Sequence, residues 1–277
     1  MSEVREVYKR KPIKSIAVGA VQIPVFCEDS EYERNYEQIA ADHIAALHRD
    51  GVNPFMETEF WNKCDDICLR FIDTYVQRND PTLVDIGCGS GKLLSKISSA
   101  NKYGVDISAN YLAEALTSGA SLIKSDIDDL PYLDSFFDCV ICTDVLEHVM
   151  RLDDAVDELN RILKPGGMLI IRVPFREDLS SYLAHEYQYK YAHLRNFDQY
   201  SLRLFFEKIR GFSWIDYELG PHLLQRGYLK FLPQWPGVGL LMRGMLSPVR
   251  KISRALYERI VDTITEPVEI TVVLRKK

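Results

Sequence analysis

The residues best suited to chemistry stand at the ends of apolar runs. Val84-Asp85-Ile86-Gly87-Cys88-Gly89-Ser90-Gly91 delivers a carboxylate into a loop of small residues that opens a helix. Glycines there let the backbone approach a ligand where a Cβ would block it, and the helix N-terminus behind them favours negative charge. The spacing departs from the dinucleotide fingerprint: Lys92 stands three places after Gly89, and the third glycine comes early at Gly91, which weakens a hydride-transfer reading. Tyr103-Gly104-Val105-Asp106 ends in a second carboxylate, where a ribose diol would be held by two hydrogen bonds. Lys124-Ser125-Asp126-Ile127 ends in a third, placed to accept from the exocyclic amine of adenine. Three carboxylates would repel a pyrophosphate, so the pattern fits a nucleoside that lacks one.

Two histidines are candidate bases because their unperturbed pKa values lie near the working range. His148 follows Asp144-Val145-Leu146-Glu147 at a strand-to-helix turn, where it also has a purely structural reading as a residue that bonds backbone. His193 lies in a loop rich in tyrosine (Tyr182, Tyr187, Tyr189, Tyr191) that belongs above the carboxyl ends of the strands.

The elements that position these groups follow from hydrophobic spacing. Tyr32 to Gly51 and about Glu57 to Val76 have helical periodicity, the second through Phe60, Cys64, Ile67, Cys68, Phe71, Ile72 and Tyr75. From Leu83 onward short apolar strands alternate with helices: strands at 83–86, 103–105, 122–123, 136–142, 168–173, 212–217 and 268–274, helices at 93–99, 111–116, 155–163 and 201–208. Strands apolar on both faces and separated by helices make a parallel sheet covered on both sides, an α/β doubly wound domain. Cys139-x-x-Cys142 lies within one such strand, where the two thiols point to different faces, so it is no zinc or redox pair.

Asp85 to Gly91, Asp106, Asp126-Ile127, Asp138 to His148 and Leu163-Lys164-Pro165-Gly166-Gly167 resemble, in order, the successive motifs of class I S-adenosylmethionine-dependent methyltransferases. The resemblance covers about residues 57–217 plus the last strand. It implies a seven-stranded, mostly parallel Rossmann-like sheet whose last strand inserts antiparallel beside the fifth, with N-terminal helices and a helical insertion before that strand. It implies S-adenosyl-L-methionine as cofactor and S-adenosyl-L-homocysteine as product. Gly87, Gly89 and Gly91 would pack on the methionine part, Asp106 hold ribose, and Asp126 and Ile127 hold adenine. Asp85, Cys88, Ile107, Asp144 and Val145 would complete the cofactor wall. The implied organisation is an arm and helix over 1–56, the methyltransferase domain over 57–220 plus 266–277, and an insertion over 221–265.

The expected reaction is methyl transfer to a hydroxyl of a small-molecule acceptor, a sugar or secondary metabolite, with His148, His193 and Asp144 as catalytic candidates and no metal ligand assigned. One alternative takes Asp144, Glu147, His148 and His193 together. They resemble the acid-x-x-Glu-His plus His arrangement by which some methyltransferases of RNA ends and quinone precursors bind a divalent ion, which would orient a diol or catechol. Another is a cofactor-binding protein without catalysis.

Composition narrows the setting. The 277 residues carry a net charge of −6, and 47% are apolar, enough for a large core without staples. The apolar stretch Ile16 to Phe26 is broken by Gly19, Gln22 and Pro24 and is about half the ~20 residues of a membrane span, and no signal pattern is expected. Six cysteines in apolar surroundings fit a reducing, cytoplasmic compartment, and the acidity argues against nucleic acid as partner. Lys9-Arg10-Lys11 reads as a solvated surface. The insertion differs from the rest: seven basic and two acidic residues give it +5, leaving −11 elsewhere. Ser247-Pro248 reads as a helix start there, followed by the stripe Ile252, Leu256, Ile260 and Ile264. With Tyr228 to Trp235 and Leu240 to Met242, the insertion suits a peripheral membrane contact, a lid over the acceptor or a homodimer surface.

Overall fold

The computed structural model describes residues 7–51, 58–185, 187–224, 229–230 and 238–277. Glu57, Arg226 and the stretches 225–228 and 231–237, with Tyr228 and Trp235, therefore lie outside the described residues. The elements run β1 (Lys14–Val18), β2 (Val21–Val25), α1 (Glu31–Asp50), α2 (Thr58–Tyr75), β3 (Leu83–Ile86), α3 (Lys92–Lys96), β4 (Lys102–Asp106), α4 (Ala109–Ala115) and β5 (Ser121–Lys124). They continue with β6 (Phe137–Thr143), α5 (Leu152–Ile162), β7 (Leu163–Pro174), α6 (Gln199–Arg203), β8 (Ser213–Leu219), α7 (Val238–Ile252), α8 (Arg254–Ile264) and β9 (Glu269–Arg275).

The sheet has the order β1-β2-β5-β4-β3-β6-β7-β9-β8. β5, β4, β3, β6 and β7 are parallel neighbours, and β9 inserts antiparallel between β7 and β8, as the resemblance implies. Alternation within the strands divides the core. Val84, Val140, Cys142, Leu169 and Ile171 face α5 and Phe206, while Leu83, Cys139, Ile141 and Ile170 face α2, α3 and α4 through Ile67, Phe71, Leu94 and Leu112. Cys139 and Cys142 thus lie on opposite faces, as strand periodicity requires.

Among the described residues the sheet has nine strands, where seven are expected. The arm expected ahead of the Tyr32 helix, within the 1–56 segment, contributes the hairpin β1–β2, and β2 joins the edge in parallel at Val25↔Lys124, where the Phe26 N–H donates to the Lys124 carbonyl at 2.8 Å. Burial of Ile23, Val25 and Phe26 drives the docking, whereas β1 is mostly exposed and leaves only a weak apolar pattern in the sequence. Lys9 and Arg10 are not merely solvated, because both approach Asp129.

A second correction concerns Pro248. It does not open a helix but lies inside α7, and the break falls at Ser253, whose hydroxyl caps α8 by accepting from the Leu256 N–H. Val238, Met242 and Leu246 pack α7 against Val261 and Leu224, which holds the helix upstream of the proline despite the lost donor. Among the described residues, no helix is long and apolar enough to cross a membrane.

α1 lies over the carboxyl ends of the strands. Ser30 and Glu33 close its N-terminus in a reciprocal capping box, and Gly51 ends it in the left-handed conformation. Glu33 and Glu37 both grip Lys124 at the end of β5. Glu37 also accepts from the Ala109 N–H (2.6 Å) and the Ser108 hydroxyl (2.7 Å), so one helix fixes the start of the next.

Candidate active site

The chain leaves β3 through Gly87, Gly89 and Gly91, all with positive φ. The N–H groups of Gly87 and Cys88 both donate to the Val105 carbonyl, at 2.8 and 2.9 Å, and tie the loop to β4. The glycines serve different purposes. A Cβ on Gly87 would meet Val145 Cγ2 at 2.2 Å, and one on Gly91 would meet Ala115 at 3.0 Å, so internal packing demands both. A Cβ on Gly89 would meet nothing within 4 Å, so this glycine borders open space.

Asp106 faces the same loop. Its Oδ2 accepts from the Gly89 N–H and its Oδ1 from the Ser108 N–H, each at 2.8 Å. Burial pushes its pKa up to about 6, against the pull of those two donors. Asp85 is buried with no hydrogen-bond partner on Oδ1, and burial pushes its pKa up to about 8 although Arg172 opposes the shift. Asp126, half-buried at the end of the next strand, accepts from the Ile127 N–H at 2.7 Å; burial and then Asp128 raise its pKa. Cys88 and Ile127 are buried and Ile107 half-buried beside these acids. An open glycine, an unpartnered buried carboxylate and acids on adjacent strand ends fit S-adenosylmethionine, whose hydroxyls, amine and cationic groups all seek acceptors.

Asp144 takes a place the sequence does not disclose. Its φ is +56, and its carboxylate receives Nε (3.1 Å) and Nη2 of Arg172 on β7. That buried guanidinium lies 5.8 Å from the Trp61 ring and 3.7 Å from Cys68 Sγ. Glu147 and Glu269 are buried nearby; among the described residues, neither oxygen of Glu147, nor Oε2 of Glu269, has a hydrogen-bond partner. Burial and then the charge of Asp144 raise both pKa values, against Arg172. One buried cation thus serves a cluster of carboxylates, and Asp144 is committed to it.

The two histidines do come together. Their rings stand edge to face with centroids 4.5 Å apart. His193 Nδ1 bonds a Glu177 carboxylate oxygen, and the Tyr182 hydroxyl, 3.1 Å from the same nitrogen, donates to the other Glu177 oxygen at 2.7 Å. His148 has no hydrogen-bond partner on Nδ1; burial, then His193, pushes its pKa down to about 3, which keeps it neutral. Its Nε2 lies 3.8 Å from Glu147 Oε1, and ligand atoms of Glu147, His148 and His193 all lie within 4.8 Å of one another. The loop is anchored on both sides. Arg195 donates to the Leu146 carbonyl at 2.8 Å, the Leu194 N–H to the Glu147 carbonyl at 2.8 Å, and Asn35 of α1 exchanges two hydrogen bonds with the Tyr191 backbone. Tyr32 packs on Tyr191 and Tyr36 on His148, so α1 closes over the cluster.

Arg172, Glu177, Glu269, Glu37 and Tyr36 were not legible as site residues. An arginine inside the apolar run Leu169-Ile170-Ile171-Arg172-Val173 was the one available signal, since a charge there must find a partner. Glu177 gave none, because its role depends on a loop returning from residue 193.

Comparison with known proteins finds relatives among methyltransferases. Residues 84–171 match the family model described as a methyltransferase domain. The chain is 35% identical over 140 residues to the probable tRNA methyltransferase 9B of Bos taurus, covering 48% of this chain and 31% of that protein. It is 30% identical over 123 residues to the ubiquinone/menaquinone biosynthesis C-methyltransferase of Pseudomonas paraeruginosa, covering 40% and 48%. The chain thus spans less than half the length of these two curated relatives. Magnesium protoporphyrin IX methyltransferase from Synechocystis, solved with bound S-adenosylhomocysteine, is similar with a TM-score of 0.58 at 14% identity, over 88% of this chain and 98% of that one. Residues 84–171 are a methyltransferase domain, and the sheet that carries it is the Rossmann-like class I sheet.

Proposed function

We propose that this methyltransferase domain moves the methyl group of S-adenosylmethionine to a hydroxyl oxygen of a small acceptor, such as a sugar or other secondary metabolite. The observation that carries the reading is the His193–Glu177 pair, set beside neutral His148, which follows the carboxyl end of β6. The loop at Gly89 would take the methionine part, Asp106 the ribose, Asp126 and Ile127 the adenine, and Asp85 a cationic group. When bound, the cofactor supplies a sulfonium-activated methyl; the chain supplies position and a place for the proton. His193, with Nδ1 committed to Glu177, takes the hydroxyl proton on Nε2 as the acceptor oxygen attacks, and Glu177 stabilises the imidazolium. Asp144, held by Arg172, shapes the wall and moves no proton. The tyrosines of the loop and of α1 exclude water.

The test is a panel of hydroxylated compounds incubated with methyl-labelled cofactor. His193→Gln should lower kcat about 100-fold or more, and Glu177→Gln should lower kcat in the same direction with KM little changed. A product methylated on nitrogen or carbon, or His193→Gln turning over as the wild type does, would refute the proposal.

A second reading is supported by Glu147, whose unpartnered oxygens lie with His148 and His193 in a set able to take a divalent ion. The ion would orient a catechol or the terminal diol of an RNA and lower its pKa. Relatives named for tRNA keep RNA among the acceptors to be tried. Mn²⁺ binding followed by electron paramagnetic resonance, and its loss in Glu147→Ala, favours this reading; activity indifferent to chelator and to Glu147→Ala removes it.

A further inference from the structure

We propose that α7 and α8 dock the chain onto an anionic lipid bilayer, with α7 lying in the interface. α7 is apolar on two sides. One side, Val238, Met242 and Leu246, packs inward against Leu224 and Val261. The other is turned to solvent: Leu240, Leu241, Met245 and Ile252 are 76%, 63%, 65% and 86% exposed, and their grouping on one helix sets them apart from apolar side chains exposed singly elsewhere. Leu241, Met245 and Ile252, with the small Gly244 and Pro248 between them, fall on one helical face by their spacing, and Leu256 is a further exposed apolar side chain at the start of α8.

Charge selects the occupant. α7 contains Arg243, Arg250 and Lys251 and no acidic residue, and α8 adds Arg254 and Arg259 against Glu258 and Asp262. Arg250 and Arg254 also pair with Glu59, which tethers both helices to the start of α2. A second copy of the chain would set these two net-basic helices, five basic against two acidic residues, against themselves, whereas anionic headgroups complement them. The segment leaves after β8 and returns at Glu269, which pairs with Pro174 at the carboxyl end of β7. Docking therefore brings the rim of the candidate site to the bilayer, where an acceptor carried on a lipid would lie. The surface stands on its own exposure and charge, independently of the methyl-transfer reading.

The test is co-sedimentation of the full chain with phosphatidylcholine vesicles and with vesicles that also contain phosphatidylserine. Binding to the second kind at low salt, release at high salt and a loss of about tenfold or more in Leu241→Ser/Met245→Ser, with circular dichroism unchanged, support the proposal. No binding, equal binding to both vesicle types, or binding untouched by the double variant overturns it. So does light scattering that shows a dimer without vesicles and a monomer for the double variant, which assigns the face to a second copy.

Discussion

Two alanines placed two residues apart in the same loop should fail in different ways. Gly89 and Gly87 both have positive φ, so alanine at either costs about 1–2 kcal/mol of backbone strain. At Gly89 the new methyl meets nothing within 4 Å, and strain is the whole folding cost. At Gly87 it overlaps Val145 Cγ2 at 2.2 Å, and overpacking adds about 1–3 kcal/mol. Gly87→Ala should therefore be the less stable variant by that difference. For the cofactor the order reverses, because the Gly89 methyl projects into the open space assigned to the ligand. Gly89→Ala should weaken S-adenosylhomocysteine by about tenfold or more, roughly 1.4 kcal/mol, while Gly87→Ala, where it folds, loses less. Urea denaturation reads the first quantity and calorimetry the second. If Gly89→Ala binds like the wild type, or if the two variants are equally stable, the division of roles among the glycines is wrong.

Other consequences follow from the same geometry. His148 stays neutral in the folded chain down to about pH 3, whereas the unfolded chain takes up this proton near pH 6.5; stability should fall as pH drops through that window, by about 2 kcal/mol between pH 7 and 5 from this residue, and His148→Gln should flatten the slope of urea midpoint against pH. Arg172→Met leaves Asp144 and its neighbouring buried carboxylates without their cation and should cost about 3–5 kcal/mol in denaturant unfolding, whereas a neutral result would show that the cluster protonates without consequence. Glu37→Gln removes a charged acceptor from the start of α4 while Lys124 keeps Glu33, so a loss of about 1–2 kcal/mol is expected by thermal or urea unfolding.

The parts of the fold that were legible are those whose physics is local. β6 is a run of apolar residues because both its faces are covered, and α2 shows its buried face at three- and four-residue spacing. β9 stands out as an isolated apolar strand after a long basic insertion. The β1–β2 hairpin was not legible, since half its side chains are exposed and its docking rests on a short parallel pairing with β5. Pro248 misled because a proline marks a helix start only when nothing upstream is packed, and Met242 and Leu246 are. At the site, strand-end acids announced themselves by position. The roles of Arg172 and Glu177 arise from residues distant in sequence, Asp144 and His193, and spacing cannot express that.

In the proposed function the strand-end carboxylates and the Gly89 loop hold S-adenosylmethionine. Isothermal titration of S-adenosylhomocysteine into the wild type and into Asp106→Ala tests it most directly. One site per chain is expected in the wild type, and its loss when the carboxylate that joins Gly89 to Ser108 is removed. No binding to the wild type, or binding that Asp106→Ala leaves unchanged, would contradict it.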